Sequence, residues 1–253
     1  MKFQNKIKND WYIDDQKKQQ LNNIAYLSVI EQRWDNFYIL LTKFMNEYDA
    51  NAKFYNILDA GSGDGNNVDF LLKFFASRNL KIRLTALDYN EVRVKRLNKI
   101  KNIQVEYGDL LDIKHPKEKF DFILCSHVIE HIENCNLALK ELKRVLKKNG
   151  FLILSIPNEG CFLSQIRNNI FQRTILKHTD HKHFFTKKTF LTLAQKSGFK
   201  LANQVLLEGF SFPHSGVDRR LRKFRFWRKT MVFCSKIFPS QSGSLTFLFK
   251  KGF

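Results

Sequence analysis

Five short apolar runs are spaced along the middle of the chain: FYNILDA (54–60), KIRLTALD (81–88), NIQVEYGD (102–109), FDFILCS (120–126) and GFLILSIP (150–157). Between them, Val68–Ser77, Glu91–Ile100 and Ile129–Lys148 carry apolar residues at helical spacing. Strands that alternate with helices predict βαβ units and a parallel sheet. The unbroken apolar character of ILDA and FILC predicts strands buried on both faces. A chain of 253 residues fits one large α/β domain whose core needs no staples.

The flanks read differently. From Asp14 to Tyr48 the apolar spacing is helical, which predicts one or two amphipathic helices and a helical cap over residues 1–50. The catalytic domain is expected over 51–253. After Pro157 the pattern loosens, with insertions expected near 159–183 and 209–243. Phe185–Gly198 reads as a helix, Lys200–Leu207 as a strand, and SLTFLFKK (244–251) as a last edge strand.

The chemistry concentrates where the first strand ends, in Ile57-Leu58-Asp59-Ala60-Gly61-Ser62-Gly63-Asp64-Gly65. Glycines at such a turn permit backbone angles and ligand approach that a Cβ would block. The following helix offers unpaired N–H groups and a positive dipole end. Asp59 is placed to face an ammonium group. Asp88 ends the second strand, where a carboxylate accepts hydrogen bonds from ribose hydroxyls. Asp109, in Gly108-Asp109-Leu110, ends the third, where a carboxylate can take an adenine amino proton. A dinucleotide-binding G-x-G-x-x-G is the nearest competitor, but Asn66 stands where its third glycine or alanine belongs.

With these motifs in register, the chain resembles the class I S-adenosylmethionine-dependent methyltransferases. ILDAGSGDG is similar to their motif I, ALDYN to the acidic motif that follows, and YGDLLDI to the adenine-side motif. FDFILCSHVIEHIEN (120–134), LKKNGFLILSIPN (146–158) and DHKHFFTKKTFLTLAQKSGF (180–199) extend the resemblance to the small-molecule, quinone and glycan methyltransferases. The resemblance implies a Rossmann-like α/β fold, with a seven-stranded, mostly parallel sheet flanked by helices. It implies S-adenosyl-L-methionine as cofactor, contacted by Asp59, Gly61, Gly63, Asp88, Tyr89, Asp109 and Leu110.

A hydroxyl acceptor must lose a proton, and a base of pKa near 7 suits that task. His127 follows the fourth strand, at the carboxyl edge where such sheets bind ligands. It is the first choice of base and His181 the second. His131, beside Glu130 in a helical pattern, reads as structural. His178, His181 and His183 invite a metal reading, but no carboxylate cluster has matching ligand spacing, so no metal is expected.

Charge narrows the partners. Residues 161–253 hold 18 Lys+Arg against 3 Asp+Glu, which places most of the net +19 in the last third. Within RRLRKFRFWRKTMVFCSKIF (219–238), Leu221, Phe224, Trp227, Met231, Cys234 and Phe238 fall on one helical face with cations largely off it. That face suits an anionic membrane interface, or equally packing on the sheet. The expectation is O-methylation of a small, glycan or lipid-linked acceptor at the cytoplasmic membrane face, with possible peripheral association through residues 219–238. An RNA methyltransferase is the alternative, since the cationic region would also hold phosphates. Nucleic acid is the less favoured partner, because the chain has no Asn/Asp-Pro-Pro-Tyr-like motif and no Pro-Cys. A family member that binds the cofactor without turnover is the third reading.

Four scattered cysteines without a C-x-x-C pair fit a reducing cytoplasm. The N-terminus lacks the apolar stretch of a secretory signal, and no apolar run approaches bilayer length.

Overall fold

The computed structural model describes residues 24–48, 54–172, 180–203 and 205–252, with side chains from Ile30 onward. Strands β1 (Tyr55–Ala60), β2 (Ile82–Asp88), β3 (Gln104–Tyr107), β4 (Phe120–Ser126) and β5 (Leu146–Pro157) run parallel in the order β3-β2-β1-β4-β5. Beyond β5 the sheet continues with β8 (Ser242–Lys251), antiparallel from Phe151↔Lys250 to Pro157↔Ser244. Two short strands, β6 (Phe199–Leu201) and β7 (Leu206–Phe210), share the far edge of β8. Eight strands therefore occupy seven lanes of a Rossmann-like sheet.

The last strand is thus interior and not the edge strand that its terminal position suggested. Its residues explain why. Leu245, Thr246, Phe247, Leu248 and Phe249 are all fully buried, a composition suited to a strand covered on both faces.

Period-two alternation divides the core between the two faces. On one face, Ile57, Leu84, Phe122, Phe151 and Leu248 meet helix α1 (Ile24–Glu47) through Phe37, Leu40, Leu41 and Phe44. Helix α2 (Asn66–Ala76) joins that face through Val68, Leu71 and Phe75, and α3 (Glu91–Leu97) through Leu97. On the other face, Leu58, Ile123, Leu152, Leu154, Phe247 and Phe249 meet α4 (Cys135–Val145). Ring contacts from Phe44 to Tyr55, Phe122 and Phe151 fix α1 directly on the strands. Within the region expected to form a cap, this helix is thus part of the core.

The continuous helix expected over 129–148 is three pieces. Ile129–His131 is a single tight turn, the Asn134 side chain accepts the Leu137 N–H at 3.1 Å and starts α4, and Leu146 already belongs to β5. Gly150 lets the chain pass close to β4, since a Cβ there would lie 2.9 Å from the Asp121 carbonyl oxygen. Past β5 come α5 (Phe162–Ile166), a wider turn at Arg167–Phe171, and α6 (Lys187–Lys196). Thr186 and Thr189 cap α6 reciprocally. Two helices, α7 (Ser215–Leu221) and α8 (Arg225–Ile237), fill the basic insertion before β8. Among the described residues, no helix is long and apolar enough to cross a membrane.

Candidate active site

The glycine-rich turn leaves β1 with Gly61 at φ 78° and Gly63 at φ 57°. A Cβ on Gly61 would stand 2.4 Å from Val128 Cγ2, so glycine is required there by both space and backbone angle. Around Gly63 the space is open, with Arg93 Nη1 nearest a notional Cβ at 3.9 Å. The Gly63 N–H donates to Asp88 Oδ2 at 2.8 Å and the Asn90 N–H to Asp88 Oδ1 at 2.9 Å. These bonds tie the first turn to the end of β2.

Asp59 is fully buried below this turn, and neither carboxyl oxygen has a hydrogen-bond partner among the described residues. Burial, helped by the nearby Asp88 charge and opposed by Ser62, pushes its pKa up to about 7. Asp88 is also raised, chiefly by burial, against the pull of the Asn90 N–H, Arg93 and the Gly63 N–H. Tyr89 next to it is 56% exposed. Asp109 is exposed and accepts the Leu111 N–H at 2.9 Å, so it caps the turn after β3. Leu110 is buried in the core under that turn.

Beyond β4 the chain places a second polar group. His127 takes a left-handed conformation, φ 55°, while its N–H donates to the Ser155 carbonyl at 2.9 Å. Glu130 is fully buried, and neither carboxyl oxygen has a hydrogen-bond partner among the described residues. Its backbone carbonyl accepts the Lys182 and His183 N–H groups, at 2.8 and 3.2 Å. Those two bonds bring the 180–183 segment across the tight turn, and His181 with it. His131 and His181 meet edge to face, ring centres 4.6 Å apart. His131 Nδ1 lies 2.8 Å from Asp180 Oδ1, and His181 Nδ1 is hydrogen-bonded to Glu159 Oε2 at 2.6 Å.

The three rings differ electrostatically. Burial holds His127 well below the ordinary histidine range, with Arg33, His181 and His131 adding repulsion. His131 is lowered to about 4, again mainly by burial. For His181 burial also disfavours the charge, but Glu159, Glu130 and Asp180 outweigh it and raise the pKa. Glu130 is pushed up to about 7 by burial.

The two histidines chosen from sequence thus come together, and His131, taken as structural, joins them. His183 turns away: its Nε2 sits at the carbonyls of Ile132 and Glu133, and its ring stacks on Phe185. His178 lies outside the described residues. Two further residues had no sequence signal. Arg33 on α1 donates to Glu208 Oε2 at 2.9 Å, and Ser155 and Thr246 donate to Glu208 Oε1. Arg33 reads in sequence as the wet face of an amphipathic helix. A cavity lined by Pro157, Glu159, Arg167, Glu208, Asp218 and Arg222 opens beside this group.

The basic insertion is two helices and not one, broken at residues 222–224. Asp218 links the two helices across the break, accepting Arg222 Nε at 2.6 Å and Trp227 Nε1 at 2.9 Å. Met231 is buried and Trp227 partly so, but Phe224 and Phe238 of the expected apolar face are exposed. Phe226, Phe233 and Ile237 form an exposed stripe along α8, amid exposed Arg225, Lys229 and Lys236.

A family model described as a methyltransferase domain matches residues 31–204. The probable S-adenosylmethionine-dependent methyltransferase of Mycolicibacterium smegmatis is 27% identical over 108 residues, covering 42% of this chain and 40% of that protein. The ubiquinone/menaquinone biosynthesis C-methyltransferase of Rickettsia akari is 29% identical over 168 residues, 62% of each. The chain spans less than two thirds of the length of both relatives. In fold it is similar to a SAM-dependent methyltransferase from Aquifex aeolicus, with TM-score 0.56, 16% identity, and 93% of this chain and 97% of that chain covered.

Proposed function

The chain belongs to the S-adenosylmethionine-dependent methyltransferases, and from that premise we propose that it methylates a hydroxyl oxygen of a lipid-linked or glycan acceptor at an anionic, cytoplasmic membrane face. S-adenosylmethionine, when bound, supplies a methyl group on a sulfonium sulfur. The fit of this chain to it rests on Asp59, a buried carboxyl without a described partner and so suited to an ammonium group, and on the open space over Gly63. In this reading Gly61 and Gly63 allow close backbone approach. Asp88 accepts the ribose hydroxyls, and Asp109, Leu110 and Tyr89 border the adenine.

The observation that carries the oxygen assignment is the imidazole group around Glu130. Methylation of a hydroxyl needs a place for its proton, and His127 Nε2 is buried with no described partner to compete for it. His181 is oriented through Nδ1 by Glu159. Much of the acceleration comes from holding the acceptor oxygen at near-attack distance in a site closed to water.

The membrane part is supported by the exposed Phe226, Phe233 and Ile237 stripe among cations. The Rickettsia relative is named for a role in quinone biosynthesis, which favours a quinone-type acceptor among the lipid-linked ones. It is also named for transfer to carbon, so the test must read the atom as well as the product. The protein is incubated with S-adenosylmethionine carrying a deuterated methyl group and anionic vesicles loaded with prenylated phenols or lipid-linked glycans. Products are analysed by mass and fragmentation. An O-methyl product on vesicle-borne acceptor is expected. A C-methyl product overturns the oxygen assignment, and a salt-sensitive shift of RNA with no vesicle binding overturns the membrane one.

A further inference from the structure

Among the described residues, Glu130, His131 and His181 each present a ligand atom within 4.8 Å of the other two. They come from two places, the tight turn after β4 and the segment that its Glu130 carbonyl clamps. From this geometry we propose that Glu130, His131 and His181 form a binding site for one divalent transition-metal cation beside the acceptor, a different set from the His178, His181 and His183 weighed in the sequence.

Three observations carry the assignment. The first is Glu130. It is fully buried, yet both its carboxyl oxygens lack a hydrogen-bond partner among the described residues. A buried polar group left unsatisfied costs about 1–3 kcal/mol, so a fold that keeps one has a use for it. The second is the orientation of the two rings. His181 Nδ1 is bonded to Glu159 Oε2 at 2.6 Å, and His131 Nδ1 lies 2.8 Å from Asp180 Oδ1. The Glu159 carboxylate at His181 Nδ1 favours the tautomer that leaves Nε2 with the lone pair, the second-layer support that metal-binding histidines ordinarily have, while His131 has a carboxylate close by. The third is distance. His131 Nε2 stands 4.0 Å from Glu130 Oε1. Ligand atoms about 2.0–2.2 Å from a tetrahedral cation stand about 3.3–3.6 Å apart, so the three side chains need only a modest inward rotation to share one.

Two imidazoles and one carboxylate select a borderline cation such as zinc, manganese, iron or cobalt over calcium. Three protein ligands leave positions open, the pattern of a catalytic site and not of a closed structural one. One role for such a cation rests on the methyl-transfer reading above. It would hold the acceptor hydroxyl oxygen and lower its pKa, so that the oxygen is already largely anionic when the methyl group arrives. His127 Nδ1, 3.5 Å from Glu130 Oε1, sits beside the site without belonging to the three-ligand set.

Metal-free full-length protein is titrated with Mn²⁺, read by electron paramagnetic resonance, and with Co²⁺, read by its visible absorption. Both runs are made without acceptor, so an acceptor screen that fails does not affect the result. One cation per chain is expected. Glu130→Gln and His181→Asn should each weaken binding at least about tenfold, because each removes a direct ligand. Glu130→Gln keeps the shape and removes a buried carboxyl, so its Tm without metal should equal or exceed that of the wild type. Glu133→Gln, which changes an exposed acid on the same segment, should bind as the wild type does. Failure of the wild type to bind either ion at millimolar concentration overturns the site. So does binding that Glu130→Gln and His181→Asn leave unchanged. Neither result touches the methyltransferase reading, which stands or falls on cofactor titration.

Discussion

At the scale of single residues, Asp59 and Glu130 stand out as buried carboxyls whose oxygens no described group satisfies. Asp59 has a definite consequence. With a pKa of about 7 it is largely protonated in the cofactor-free protein at mildly acidic pH, whereas an ammonium ligand favours the carboxylate. Affinity for S-adenosylmethionine should therefore fall as pH drops below about 7, and Asp59→Asn should flatten that dependence. Calorimetric titration across pH 5.5–8.5 measures both. The stability of the cofactor-free fold should move the other way. An acid whose folded pKa is raised stabilises below its unfolded value of about 3.9, and that contribution is lost as pH rises through 7. The Tm of the free wild type should thus decline between about pH 5 and 8 more steeply than that of Asp59→Asn. Asp88→Ala removes an acceptor for the Gly63 and Asn90 N–H groups as well as the proposed ribose contact. Cofactor affinity should drop by about 1.5–3 kcal/mol, the worth of charged hydrogen bonds. Unchanged affinity would remove Asp88 from the site.

These aspartates were legible in the sequence because each rides at a fixed place in a strand–turn motif. The second cluster was not. His131 and His181 are fifty positions apart, and backbone bonds from residues 182 and 183 to Glu130, with Asp180 beside His131, bring them together. Arg33 and Glu208 are 175 positions apart and carry no local pattern at all. Of the sequence cluster His178-x-x-His181-x-His183, the two described members have different partners: His183 lies at the Ile132 and Glu133 carbonyls and His181 at Glu159.

Among the elements, α1 and α8 carry the clearest consequences. The amphipathic spacing of α1 announced a helix, but not which surface it covers. It lies over β1, β4 and β5, where Phe44 is fully buried against Tyr55, Phe122 and Phe151. Phe44→Ala should cost about 3–5 kcal/mol in chemical denaturation, the range for emptying an aromatic core site. A cost under 1 kcal/mol would mean that α1 packs loosely. In α8, the residues expected on one apolar face are shared between packing and solvent, because the helix is interrupted ahead of it at residues 222–224, where Asp218 bonds both Arg222 and Trp227. Phe226 and Phe233 are more than 60% exposed. The double variant Phe226→Ser, Phe233→Ser should lose binding to anionic vesicles, measured by flotation, while its Tm stays within about 2 °C of wild type. Such surface changes ordinarily alter stability by no more than about 0.5 kcal/mol. Retained flotation would remove the stripe from the interface.

The whole molecule has a formal net charge of +19, concentrated in its last third, and the surface that carries it also carries the exposed aromatics. Attraction of that kind is screened over about 8–10 Å at physiological salt, so vesicle binding should weaken steeply between 50 and 300 mM NaCl. A salt-insensitive interaction would point to the aromatic stripe alone. The βαβ plan, the glycine turn and the aspartates at three strand ends were all readable along the chain, because period, turn chemistry and motif spacing are local properties. Packing between distant segments fixed the rest. It placed the last strand inside the sheet, where its doubly apolar faces are covered, and α1 on the core. It also gathered Glu130, His131 and His181 from separate segments into one buried group. Those placements depend on which surfaces meet, and no stretch of sequence encodes that alone.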